Sequence, residues 1–422
     1  MSEMGLKAGA GRAKIDLAGV LPHDGFTAER HGLCARALML EMAGTRACIL
    51  TLELTSIAPN LQDKLVSAVE RACGLTPPYV WIVPTHTFSA PHVRTPGHLK
   101  SDEERERNTR YLNAIVSAAE RAVTEAVAAL APAQLERACG ACPVNVNRDI
   151  ETPAGWWLGA NEDGFADHAM PILRVTSTAG ETVAVLAAAD VQSSVLDKST
   201  TSEGERVITG DLFGFAAGMV ERELGGVCLM LPGAAGDQAP RERAVTVTFA
   251  ADGTASTEDA HEEGYRILHR QGSALGRAIT GALAEAVPCV PGAPEAREVD
   301  VELPAQERAD FHSLRPRTSY TFEPAGTVRT QVSFLRLGEL TLVGVKPEVA
   351  SSFGSAVRNA APGRVLFATL VNGGAKYLPA PDAYQKITYE AMNSGFAQGA
   401  HEVLLDTILA ALDAAPTERS AQ

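Results

Sequence analysis

Trp81-Ile82-Val83-Pro84-Thr85-His86-Thr87-Phe88-Ser89-Ala90-Pro91-His92 begins apolar and β-rich, as the end of a buried strand does. It then breaks into small and polar residues around His86. A histidine at the carboxyl end of a strand, just before a loop, sits where α/β folds place their chemistry. A core histidine with satisfied hydrogen bonds would read the same way from this stretch alone. The rest of the chain has to decide.

Upstream, 35–41 and 47–54 are strand-like runs parted by Ala43-Gly44, a hairpin signal. Leu61, Leu65, Ala68 and Val69 recur at helical spacing within 60–73, and Gly74 stops that helix. Downstream of His86, the charged run 101–107 leads into a helix reaching about residue 130. Its core stripe is Leu112, Ile115, Ala118, Ala119, Ala122 and Val123. Strand, helix, strand, loop, helix is the order of an α/β layer.

The pattern continues. Strands 172–176 and 183–189 pair across Ala179-Gly180. A helix over 212–224 has Asp211 as its cap and Gly225-Gly226 as its end. Strand 227–231 runs into a tight loop, 232–237. A long helix over 265–287 follows, then strands 299–303, 332–337, 340–345 and 364–371, and a last helix over 401–412. Residues 144–149 read as a polar irregular stretch and 193–209 as a long loop. Residues 239–263, acidic and poor in apolar anchors, read as mobile and a candidate lid. Gly9-Ala10-Gly11-Arg12-Ala13 follows no predicted strand and is a weak phosphate-loop candidate. The expected fold class is α/β, with mixed β-sheets layered with helices in one large catalytic domain over 1–416 and a frayed polar tail over 417–422.

The 422 residues are 45% hydrophobic, enough for a sizeable core, and carry a net charge of -14. That charge excludes nucleic acid and anionic membrane surfaces as partners and leaves a small-molecule substrate. No apolar leader opens the chain, and no run reaches the roughly 18 apolar residues of a membrane span. Seven scattered cysteines, an odd count, suit reduced thiols and a cytoplasmic location. Cys139-Gly140-Ala141-Cys142 is a lone CxxC with no second pair at metal-site spacing. Oligomeric state is not encoded in any recognisable pattern.

Polar clusters follow several predicted strands: His86, Asn147-Arg148, Asp190-Val191-Gln192, Lys346-Pro347-Glu348 and the 372–377 segment. Strand ends of one sheet layer converge on one edge, so these clusters are candidates for a common pocket. No HExxH metal motif and no Gly-x-Ser-x-Gly elbow is present.

At these positions the sequence resembles the neutral/alkaline ceramidase family. "GAGRAKIDLAG" (9–19) is similar to that family's opening, and His86-Thr87-Phe88-Ser89-Ala90-Pro91 to its HTHSGP motif. "NVNRD" (145–149) resembles its asparagine-arginine motif. "GDLFGFA" (210–216), "GAAGDQAP" (233–240) and "NGGAKYLPAPDAY" (372–384), followed by Tyr389-Glu390, resemble its later motifs, all in order. The resemblance implies a zinc amidase cleaving an N-acyl bond, its metal held by two histidines, a glutamate and a tyrosine. Carried over, the metal ligands are His86, Glu348 and Tyr377, with Arg148 beside them to stabilise an oxyanion or bind a substrate carboxylate. The sequence departs from the pattern at Phe88, where the motif has its second histidine, and at Gln192, where the other zinc-binding histidine is expected. An amide binds zinc poorly, so Asp190, His92 or His98 are candidate substitutes.

The resulting expectation is a metal-dependent hydrolase of an amide or related acyl bond. Its catalytic residues would be His86, Arg148, Gln192 and Tyr377. An aromatic content of 5% and the cytoplasmic expectation point to a small soluble substrate rather than ceramide. The alternatives are a metal-poor enzyme turned to a lyase or cyclisation step, and a ligand-binding protein that kept the pocket.

Overall fold

The computed structural model describes residues 5–250 and 254–413. The expected frayed tail, 417–422, lies outside the described residues.

Among the described residues the largest sheet has nine strands. Its path runs Val227–Pro232, Thr182–Ala189, Ala169–Ser177, Ala131–Ala141, Lys7–Lys14, Cys34–Met42, Thr45–Leu52 and Val80–Pro84, with Val287–Cys289 paired to Ala131–Ala141. A second sheet has four strands: Pro294–Gln306, Pro324–Leu337, Leu340–Val345 and Val365–Ala368.

Side-chain alternation sets the layers. Leu38, Ile49, Trp81, Leu186 and Leu229 of the large sheet pack on Leu335, Leu342 and Leu366 of the small one. The intervening residues, such as Ala37, Met39, Leu50 and Val185, face helices instead. Those helices are Pro59–Cys73 and Asp102–Ala128 at one end, and Asp211–Leu224 and Glu263–Leu283 at the other. Helices Ser351–Ala360 and Ala400–Asp413 cover the outer face of the small sheet. The result is helix, sheet, sheet, helix: the expected α/β class with mixed sheets. No helix among the described residues is long and apolar enough to cross a membrane.

Three parallel pairs matter for the site: Thr45–Leu52 with Val80–Pro84, Thr182–Ala189 with Val227–Pro232, and Leu340–Val345 with Val365–Ala368. The segments leaving them meet. Thr87 bridges Ser193 in parallel, and Glu348 pairs in parallel with Tyr377.

Three sequence expectations change. The glycines of 9–13 lie inside the strand Lys7–Lys14, not in a phosphate loop. A Cβ on Gly9 would stand 2.2 Å from the Ala126 carbonyl oxygen, and one on Gly11 2.2 Å from that of Ala122. The glycines therefore let this strand lie directly against the helix Asp102–Ala128. Gly9→Ala should cost on the order of 1–3 kcal/mol through overpacking, read as a lower urea midpoint at unchanged slope. A midpoint equal to wild type would show that the helix yields freely.

Residues 144–149 are not irregular: Asn145–Thr152 is a strand between Gly155–Asn161 and Gln238–Pro240. Its polar residues are paired across the sheet, so composition misled. Within 239–263, Val245–Phe249 and Ala255–Asp259 form an antiparallel hairpin, while 251–253 lie outside the described residues. Alternation of Val245, Val247 and Phe249 with Thr246 and Thr248 is a strand pattern that the acidic surroundings hid. Asp259 ties the hairpin down by accepting from the Ser199 hydroxyl at 2.7 Å and the Thr200 amide at 2.9 Å. None of its described residues lines the cavity of the next section, which leaves the lid reading without support.

Candidate functional site

His86 directly follows its strand in a left-handed conformation, φ 59°. A bulky residue pays for that backbone only where surrounding bonds hold it. Here both ring nitrogens are held. Nδ1 lies 2.6 Å from the Thr55 carbonyl, which can only accept, so Nδ1 carries a proton. Nε2 lies 3.0 Å from Glu348 Oε2. Thr55 belongs to the segment after Thr45–Leu52, the parallel neighbour of the strand that delivers His86. The Phe88 ring packs edge-on against the imidazole, 4.8 Å between centroids.

Glu348 Oε2 has a second partner, the Gln192 side-chain amide Nε2 at 3.0 Å. The other end of that amide is also fixed, because Gln192 Oε1 accepts from Arg148 Nη1 at 2.9 Å. Arg148 in turn donates Nε to Glu390 at 2.7 Å and Nη2 to the Gly236 carbonyl at 2.7 Å. Its guanidinium carbon sits 5.2 Å from the Tyr377 ring centroid. These six side chains, His86, Arg148, Gln192, Glu348, Tyr377 and Glu390, are between 2% and 7% exposed, so each charge needs its partner. Burial opposes ionisation of Glu348, but His86, Arg148 and Lys376 outweigh it and bring its pKa down to about 2. Burial, then the Glu348 charge, pushes the Tyr377 phenol upward.

The network reaches a cavity of about 310 Å³ through Glu348, Tyr377 and Glu390, with His86, Arg148 and Gln192 behind them. Glu348, Tyr377, Asp149, Asp237, Trp156 and Glu390 are among its lining residues. Asp237 accepts the Ser351 amide at 2.8 Å, and burial pushes its pKa up to about 6. Burial, reinforced by the adjoining Glu390, raises the Asp149 carboxyl well above its ordinary value.

The structure thus brings His86, Arg148, Gln192, Glu348 and Tyr377 together. It places the candidate substitute ligands elsewhere. Asp190 is ion-paired to Arg358 at 2.6 Å and accepts the Ala234 amide at 2.8 Å. His92 pairs with Asp24 at 2.8 Å, and His98 with the Thr95 hydroxyl at 2.6 Å on the exposed surface. Among the described residues no three His, Cys, Asp or Glu side chains converge on a point that could hold a metal ion. Arg148 is engaged by Glu390, Gln192 and Gly236, and so is not free to take a substrate carboxylate. Sequence reasoning gave no role to Thr55, Asp149 or Glu390. Asp149 and Glu390 carried a signal only as the tails of motifs, and Glu390 stands 242 positions from Arg148.

No family model matches the chain, and a search of curated proteins gives no match. Among solved structures it resembles the neutral ceramidase of Pseudomonas aeruginosa, with a TM-score of 0.73 at 18% identity, over 100% of this chain and 76% of that one. A ceramidase complexed with C2 gives a TM-score of 0.71 at 17% identity, over 99% of this chain and 77% of the other. The fold is therefore neutral ceramidase-like.

Proposed function

We propose that this protein hydrolyses an amide (N-acyl) or related acyl bond of a small-molecule substrate bound in the cavity beside Glu348. The observation that carries the reading is the 3.0 Å approach of His86 Nε2 to Oε2 of Glu348, a residue of the cavity wall, in a ceramidase-like fold. With Nδ1 committed to Thr55, two electron-rich atoms face each other there, and a positive particle must lie between them. A proton serves, and so does a metal ion: two ligands at roughly 2.0–2.1 Å from a tetrahedral zinc stand about 3.3 Å apart.

That contact supports a fit to zinc: His86 and Glu348 are spaced as two ligands of one ion would be, and Tyr377 would complete a three-ligand open site. Tyr377 would be the third because it lines the same cavity as Glu348 and feels its charge. Gln192 does not qualify, since Arg148 holds its oxygen and it turns its NH2 toward Glu348. Zinc, when bound, supplies a water acidified to a pKa of about 7 and polarises the acyl carbonyl.

The chain's own residues do the rest. Thr55 fixes the His86 tautomer and ring plane through Nδ1. Arg148 acts as a positioning residue that locks the Gln192 amide and Glu390. Asp237, half-ionised near pH 6, is the wall carboxyl suited to take a proton from the attacking water and return it to the departing amine.

A specific observation favours a second reading, a metal-poor enzyme or a ligand-binding protein. The Gln192 NH2 and the His86 ring satisfy Glu348 Oε2 without any ion. Metal analysis of the purified protein separates the two, since near-stoichiometric zinc supports the hydrolase and its absence after zinc addition supports the second reading.

Gln192→His should raise zinc affinity by roughly one to two orders of magnitude, because imidazole replaces an amide that turns away. A zinc titration against a competing chelator checks it. Lower affinity would mean that the ligand set is already complete without residue 192, and unchanged affinity that zinc does not sit at this centre.

A further inference from the structure

The cavity wall holds more negative charge than the Glu348 centre explains. Most of its carboxylates have a partner. Glu348 has His86, Asp382 has Lys386 at 2.7 Å, and Asp237 has the Ser351 amide. Glu390 is different: one oxygen takes Arg148, while Oε2 is buried with no hydrogen-bond donor, on a side chain 2% exposed. Asp149 Oδ1 is likewise buried without a donor. Both residues line the cavity, and their carboxyl groups adjoin. Two buried acceptors with no donor cost free energy unless something positive or protic sits on them.

We infer that Asp149 and Glu390 form a subsite for a protonated amine on the substrate, so that the preferred substrates are N-acyl compounds bearing a second, free ammonium group. This rests on the amide-hydrolase reading of the same cavity. An ammonium group brings three N–H donors, enough for Asp149 Oδ1, Glu390 Oε2 and a third contact. A divalent cation fits worse, since hard cations require at least six oxygen ligands and among the described residues no three acidic, His or Cys side chains converge to hold an ion. The same cavity already hosts an ammonium of the chain's own: Lys386 Nζ lies 4.7 Å over the Trp156 ring, and both residues line the wall. In the free protein the Asp149 carboxyl, raised by burial and by the adjoining Glu390 charge, supplies the proton that holds the place.

The test uses the full chain with N-acetyl-1,4-diaminobutane and its neutral isostere N-pentylacetamide, with calorimetric binding and amide cleavage measured in parallel. The amine should bind at least tenfold more tightly than the isostere. Asp149→Asn should remove that difference while leaving affinity for the isostere unchanged. Equal affinity of wild type for both probes overturns the inference, as does selectivity that survives in Asp149→Asn. If that variant fails to fold, the wild-type comparison decides alone. Selective binding of the amine with cleavage of neither probe supports the subsite and removes the hydrolase reading. Cleavage of both at equal efficiency does the reverse.

Discussion

If the proposed zinc-dependent hydrolysis holds, Glu348→Gln should lose zinc retention and reduce kcat/KM on a cleaved N-acyl amide by on the order of a thousandfold or more. The size follows from position, because even partners that only orient a metal ligand cost roughly 10–100-fold when removed. Glu348 Oε2 accepts from His86 and from Gln192, and among the described residues no other carboxylate bonds either of them. The glutamine amide would keep the shape, lose the charge and turn one N–H against another. The same variant carries a pH signature. The native pKa of Glu348 is depressed to about 2, against an ordinary value of about 4. Its ionisation therefore stabilises the fold above pH 4, and that stability is lost as pH falls from 4 through 2. Wild type should lose stability across that window more steeply than Glu348→Gln. Full activity in the variant would remove Glu348 from the chemistry, and parallel acid profiles would remove its ion pair from the stability.

Arg36→Met should destabilise the protein by about 3–5 kcal/mol, the cost of stranding buried charge. Arg36 is 5% exposed and lies 2.5 Å from Glu53 and 2.8 Å from Glu221. Glu53 Oε2 also accepts the Cys34 amide at 2.9 Å, so that carboxylate cannot swing out to water. The cluster fastens the strand Cys34–Met42 to the helix Asp211–Leu224 and to the segment that carries Thr55 toward His86. Urea unfolding gives the loss directly. Glu221 keeps Arg12 at 2.5 Å, so neutralising Glu53 as well, in Arg36→Met/Glu53→Gln, should recover much of it, because the penalty belongs to unpaired charge rather than to shape. A loss below about 1 kcal/mol in Arg36→Met would mean that water reaches the two carboxylates.

The elements that sequence reading placed best are those with a strong local period. Pro59–Cys73 with its Gly74 end and the hairpin joining Cys34–Met42 to Thr45–Leu52 lie within a few residues of expectation, and Asp102–Ala128 does at its end, although the run 101–107 expected as a lead-in is already helix from Asp102. Ser101 accepts the Glu104 amide as a cap should. Where the period was short or its composition polar, reading failed, as at Asn145–Thr152 and at the hairpin within 239–263. Asp211 was expected as a helix cap, but the N-cap is Gly210, without a side-chain cap bond, and Asp211 is the first helical residue. Its carboxylate takes the amides of Val195 and Leu196 as well as that of Leu212, which stitches the long loop to the helix start.

The sequence by itself determined the α/β layering, the strand ends that carry polar residues, and the two departures at Phe88 and Gln192. Those are local properties: side-chain period, capping and motif order act over a few residues. Only the tertiary structure decided which of these residues touch. His86 meets Glu348 across 262 positions, Gln192 meets it across 156, and Arg148 reaches Glu390 rather than its neighbour Asp149. A polar residue's partner in a buried site is set by how the two sheets stack and how parallel strand ends align, not by spacing along the chain. For the same reason Asp190 reads in sequence as a spare ligand and in the fold as the counter-ion of Arg358.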